Sequence, residues 1–98
     1  MPQLIISDKA RADIVRFHAF LKQQDVTAAN NAVFTLLNAF GVLGGQPHIG
    51  RLVEDEPDLR EFLVEFGNSG YVALYRYDSK RDAVVVLTIR HQREVGYQ

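Results

Sequence analysis

The apolar residues of this chain change their period part-way along. From Asp8 to about Gln24, Ile14, Phe17, His18 and Leu21 recur every three or four positions, with Ala10 extending the face. That is the spacing of an amphipathic helix. Lys9, Asp13 and Arg16 group on the other side, as a solvated face does. A second stripe, Ala29, Ala32, Val33, Leu36, Leu37 and Phe40, closes at Gly44-Gly45. From Leu59 onward the period is two, with Phe62, Val64 and Phe66 on one face and Glu61 and Glu65 on the other, the alternation of a half-buried strand. Helices must therefore be followed by sheet.

The boundaries support the same order. Gln3-Leu4-Ile5-Ile6-Ser7 reads as a first strand, and Ser7 or Asp8 offers an N-cap oxygen to the first helix. Asp25 and Thr27 punctuate the chain, with Thr27 predicted to cap the second helix, so the two form an antiparallel hairpin. Gln46-Pro47-His48-Ile49-Gly50-Arg51 is a turn-rich connector, and the acidic stretch after it, through Asp58, reads as a loop. Gly67-Asn68-Ser69-Gly70 and Asp78-Ser79-Lys80-Arg81-Asp82 are turns around strands Tyr71 to Tyr77 and Ala83 to Ile89. The expected fold class is α+β: a strand, an antiparallel helical hairpin, then a three-stranded antiparallel meander, with the helices on one sheet face. One domain is expected over residues 1–98, without repeats or a linker.

No cysteine is present, so a disulfide framework and a thiolate site are excluded. The apolar runs read as too short to span a membrane, and the N-terminus lacks a signal-peptide layout, which predicts a soluble, cytoplasmic protein without a membrane partner. The net charge of −1 conceals an imbalance. Residues 41–70 carry six acids against two arginines, whereas residues 71–98 carry five bases against three acids. A protein that binds nucleic acid through phosphate neutralisation usually has a basic excess, which this one lacks.

Candidate chemistry concentrates in the tail, Thr88 to Gln98. His18, His48 and His91 stand on three different elements, and only His91 with Glu94 has a spacing that suggests a metal, so none is expected. Gly67 and Gly70 bracket a strand turn and do not open a helix, so a nucleotide loop and small-molecule cofactors are not expected either. Ser69, Ser79 and Thr88 have no evident base beside them. Cleaving RNA without metal needs a base for the 2'-OH, cations for the charged transition state and an acid for the leaving oxygen. His91, Arg90, Arg93, Glu94 and Tyr97 supply those group types, and Arg60 and Arg76 on neighbouring strands could join them. Ion pairing of Arg90 and Arg93 with Glu61 or Glu65, and packing of Tyr97 on the sheet edge, explain the same residues without catalysis.

The element order, with Pro47-His48-Ile49-Gly50-Arg51, Leu59-Arg60-Glu61-Phe62, Gly70-Tyr71-Val72-Ala73-Leu74-Tyr75-Arg76-Tyr77 and Ile89-Arg90-His91-Gln92-Arg93-Glu94-Val95-Gly96-Tyr97, resembles the RelE/ParE superfamily of toxins from type II toxin-antitoxin systems. The closing segment is similar to plasmid stabilisation toxins. The resemblance implies one fold with two modes of toxicity: RelE-like members cut messenger RNA on the ribosome, and ParE-like members inhibit DNA gyrase. RelE-like toxins place an arginine on the strand where this chain has Val72, and the net charge here is low. These features favour a ParE-like gyrase inhibitor, with the ribosome-dependent endoribonuclease as the alternative and a non-toxic interaction domain as a third reading. If the chain is a ribonuclease, its catalytic residues are expected at His91, Arg93 and Tyr97. The target- or antitoxin-binding residues are expected at Arg60, Arg76, Arg90, His91, Arg93 and Phe20. A cognate antitoxin is the implied partner, and Val15, Phe20 and Val26 would receive it if exposed, or complete the core if not.

Overall fold

The computed structural model describes residues 2–94. Strand β1 (Gln3–Ile6) leads into helices α1 (Asp8–Lys22) and α2 (Val26–Gly45), then strands β2 (Arg51–Val53), β3 (Glu56–Phe66), β4 (Ser69–Asp78) and β5 (Ala83–His91). The five strands form one sheet in the order β1-β5-β4-β3-β2. β1 runs parallel to β5, and every other pairing is antiparallel. The expected α+β architecture is present, with one strand more than the sequence suggested.

That extra strand lies in the acidic stretch read as a loop. Arg51 pairs with Glu61, Leu52 with Arg60 and Val53 with Glu56, so the chain reverses through Glu54 and Asp55 alone. Asp55 takes a φ of 63°, a left-handed conformation that aspartate tolerates better than most residues. The turn therefore forms without the glycine or asparagine that would have announced it.

Both helices are capped by side-chain oxygens. Ser7 Oγ accepts the Ala10 N–H and donates to the Leu87 carbonyl, fastening the start of α1 to β5. On α2 the cap is Asp25 and not Thr27: its carboxylate accepts the N–H groups of Thr27 and Ala28. The buried stripe of α2 begins at Ala29, and Ala32, Leu36, Phe40 and Leu43 pack with Phe17 of α1 against Val64, Ala73, Tyr75, Val84, Val86 and Ile89 of the sheet. Full burial of each large side chain contributes roughly 1.5–3 kcal/mol. Leu37, assigned to this stripe from spacing, is 45% exposed. With 20 residues and no charged side chain, α2 is by length and composition long and apolar enough to cross a membrane, contrary to the sequence reading. Its stripe is instead buried against the sheet.

The connector after α2 is held by Tyr75, whose side chain is fully buried. Its hydroxyl donates to the Pro47 carbonyl at 2.9 Å and accepts the Gly50 N–H at 2.8 Å. A Cβ on Gly50 would stand 2.6 Å from the Tyr75 ring and hydroxyl and 2.8 Å from the Glu61 carbonyl, so glycine is required for this close approach.

Asp13 corrects the expectation of a solvated face. It is 2% exposed, and its Oδ2 accepts the Ile89 N–H and the Thr88 hydroxyl, both at 2.9 Å. Lys9 pairs with the other carboxylate oxygen and also donates to the Thr88 hydroxyl. β5 carries an irregularity here, since Leu74 faces Thr88 while Tyr75 faces Val86, which leaves Leu87 as an extra residue. Beyond Ile6, where β1 ends, α1 takes over the edge of β5 through Ser7 and Asp13.

Candidate functional site

A cleft of about 610 Å³ opens between the second half of α1, the β3–β4 turn and the end of β5. Helix α1 lines it with Arg16, Phe17, Phe20 and Leu21, the turn with Phe66, Gly67, Asn68 and Ser69, and the sheet with Tyr71, His91, Arg93 and Glu94. Gly67 makes the turn possible with a φ of 61°. Gly70 lies so close to β3 that a Cβ would press into the Val64 carbonyl. Its own carbonyl accepts the Gln92 N–H at 2.8 Å, which draws the end of β5 beside the turn.

The floor of the cleft is aromatic. Tyr71 is 3% exposed, with the Phe17 ring 4.8 Å away, Phe66 at 6.4 Å and His91 edge-on at 5.5 Å. Burial raises the Tyr71 pKa above the ordinary phenol value, so at neutral pH it is a neutral ring and no base. The wall is charged: Arg16 donates to Glu94 at 2.8 Å and stacks its guanidinium 4.5 Å above Phe17. The bond to Glu94 is the main reason that the Arg16 pKa is raised. Arg16 Nη2 and Glu94 Oε2 are buried without a hydrogen-bond partner among the described residues, although Nη2 stands 3.7 Å from Asp13 Oδ1 as an ion pair.

His91 is held from both sides. Its Nδ1 lies 3.2 Å from the Arg93 backbone nitrogen, which can only donate, and its Nε2 lies 3.1 Å from Ser69 Oγ. Nδ1 must therefore be the unprotonated nitrogen and Nε2 must carry the hydrogen, with Ser69 accepting. In this arrangement the histidine has no vacant lone pair to take a proton. Ser69, which sequence left without a partner, has one, but that partner donates to it and does not activate it as a nucleophile.

A family model for the ParE toxin of type II toxin-antitoxin systems, parDE, matches residues 4–96. The chain belongs to this toxin family. Toxin RelE3 of Caulobacter vibrioides is 32% identical over 94 residues, covering 96% of this chain and 98% of that protein. Two solved structures share the fold. One is the intact E. coli RelBE toxin-antitoxin complex, at a TM-score of 0.65 and 16% identity, covering 97% of this chain and 100% of the other. The second is the RelBE2 toxin-antitoxin complex from Mycobacterium tuberculosis, at 0.60 and 22%, covering 95% and 93%.

Of the residues singled out in this toxin from its sequence, His91, Arg93, Glu94 and Phe20 meet in the cleft. Arg90 does not. It pairs in register with Val72, which pairs with Leu63, on the strand positions alternating with the Tyr71 and His91 face, and it donates to the carbonyls of Gln92 and Glu94. Arg60 is tied to the connector, donating to the carbonyls of His48 and Gly50 at 3.0 and 2.7 Å. Arg76 stands 3.8 Å from Asp78 at the far end of β4. Glu61 is met by Arg51 at 2.9 Å. Tyr97 lies outside the described residues. His18 bonds Asn30, and His48 packs edge-on to Tyr77, so the three histidines stand at separate places. Arg16 and Ser69 are the cleft residues that sequence reasoning missed. The only signal for Arg16 was its helical spacing, one position before Phe17 and four before Phe20.

Proposed function

We propose that this toxin arrests growth in the cytoplasm by binding a protein target, DNA gyrase, and that a cognate antitoxin neutralises it. The observation that carries the reading is the state of His91. A histidine whose Nδ1 is occupied by the Arg93 N–H and whose Nε2 already carries a hydrogen directed at Ser69 is poorly placed as a general base, because the Arg93 contact must break before Nδ1 accepts a proton. Val72 and the net charge of −1 support the same reading, since docking among ribosomal RNA phosphates gains from a basic surface. The cleft suits binding: Phe20, 63% exposed, stands beside it, the floor is aromatic, and Arg16, Arg93 and Glu94 supply polar contacts at its wall.

The antitoxin is inferred from the two structural neighbours, both of which are toxin-antitoxin complexes. An apolar antitoxin residue seated beside Phe20 and Phe66 would cover the cleft. A second reading, a ribosome-dependent messenger RNA endoribonuclease, draws on the similarity to Toxin RelE3 and on the gathering of His91 and Arg93 at one cleft. Expression without antitoxin separates the two. Gyrase inhibition changes plasmid supercoiling while ribosome-bound messages stay intact, and ribonuclease action cuts those messages. Harmless expression of the folded protein would exclude both.

A further inference from the structure

Arg16 of α1 and Glu94 of the turn after β5 both line the cleft, and they are joined by a single hydrogen bond. Nη1 of Arg16 donates to Oε1 of Glu94 at 2.8 Å. Nη2 makes no hydrogen bond among the described residues, coming only within 3.7 Å of Asp13 Oδ1, and Oε2 of Glu94 makes none either. A guanidinium and a carboxylate join most strongly through two parallel bonds, so both groups are held below their capacity. Buried polar atoms without hydrogen bonds disfavour the arrangement that holds them.

The charge at this end of the cleft is also unbalanced. Arg16 and Arg93 set two guanidiniums in the lining against the one carboxylate of Glu94. The Arg93 side chain is exposed and meets no acid among the described residues. Next to these groups lies the aromatic floor of Phe17, Phe66 and Tyr71. A partner complementary to floor and wall together carries an apolar side chain with a carboxylate beside it.

We infer, on the reading that the antitoxin covers this cleft, that the antitoxin supplies this carboxylate and that it replaces Glu94 at Arg16 when the complex forms. The exchange is like for like at the guanidinium, satisfies Nη2 as well as Nη1, and turns the Glu94 side chain out to water. Only that side chain moves. The turn keeps its backbone, because Gln92 N–H bonds the Gly70 carbonyl, Glu94 N–H bonds the His91 carbonyl, and Arg90 donates to the Glu94 carbonyl. Arg16 stays aimed by its stacking on Phe17. Glu94 is thus a placeholder that pairs Arg16 in the free toxin and competes with the antitoxin for it. A phosphate also suits two arginines, but a net charge of −1 works against docking on a polyphosphate.

Calorimetric titration of the purified chain with its purified cognate antitoxin tests the exchange, with the fold of each variant checked by circular dichroism. Glu94→Gln removes the competing charge and is expected to tighten binding about two- to fivefold. Arg16→Gln is expected to weaken it about tenfold or more, and in that background Glu94→Gln should bring no gain. Unchanged or weaker binding by Glu94→Gln, or unchanged binding by Arg16→Gln, would overturn the inference. Phe20→Asp distinguishes its failure from that of the reading beneath it. If Phe20→Asp weakens antitoxin binding while the Arg16 and Glu94 variants leave it unchanged, the antitoxin covers the cleft without the exchange. If Phe20→Asp has no effect either, the antitoxin binds elsewhere and both fall. Message cutting that is lost in Arg16→Gln while antitoxin affinity is unchanged would assign the arginines to phosphate and overturn the inference as well.

Discussion

The Asp13 carboxylate of α1 accepts the backbone N–H of Ile89 on β5 at 2.9 Å, so a helix side chain continues the sheet edge where β1 stops. The same Oδ2 accepts the Thr88 hydroxyl. Asp13→Ala removes both acceptors and leaves a buried N–H unsatisfied, a loss of about 2–3 kcal/mol, readable as a lower urea midpoint. Asp13→Asn keeps one carbonyl acceptor and should lose less.

Acid should erode this contribution. Burial raises the Asp13 pKa, but the hydrogen bonds from Lys9, Ile89 and Thr88 outweigh it and leave the carboxyl below its ordinary 3.8. A group whose folded pKa is depressed adds stability that is fully present above its unfolded value and is lost as pH falls through the folded one. The stability gap between wild type and Asp13→Asn should thus be constant at neutral pH and shrink once pH falls below 3.8. Urea titrations of both proteins at stepped pH measure it.

Tyr75→Phe should cost about 1–3 kcal/mol, because it strands the Gly50 N–H and the Pro47 carbonyl that the hydroxyl now joins. Gly50→Ala should cost at least as much, since its methyl group meets the Tyr75 ring and a β3 carbonyl together. Thermal melts of the two variants check both, and near-ultraviolet circular dichroism reports whether Tyr75 has moved.

The period of the apolar residues made the helical hairpin and the three long strands legible, because packing an amphipathic stripe on a half-buried sheet leaves few other solutions. Asp13 was not legible as a buried group. The sequence reading grouped it with Lys9 and Arg16 on a solvated face, because a carboxylate is buried only with partners, and two of these lie 75 and 76 residues away. β2 escaped because three residues beside four acids carry no periodic signal. The Ser69–His91 contact spans 22 residues and depends on the register between β4 and β5, while Arg60, which looked free to bind, proved to be a clamp on its own connector.

His91→Asn retains an oxygen able to accept the Arg93 N–H and has no titratable ring. If the cleft only binds, growth arrest by this variant should stay within a few-fold of wild type at equal expression. General-base catalysis would instead make it about 100- to 10,000-fold weaker.

Phe20→Asp places a charge beside the aromatic floor of the cleft at a position already exposed, so folding should survive. Toxicity is expected to fall about tenfold or more, as loss of an interface anchor does. A dose series of induced expression, with folded protein quantified in parallel, measures it.

The most direct test is a gyrase supercoiling reaction with the purified chain, run beside a translating-ribosome reaction at the same toxin concentrations. The proposal predicts that supercoiling stops or cleaved gyrase-DNA complexes accumulate, that added antitoxin reverses the effect, and that messages remain whole. Unchanged gyrase activity with ribosome-bound messages cut, and that cutting abolished by His91→Asn, would contradict it.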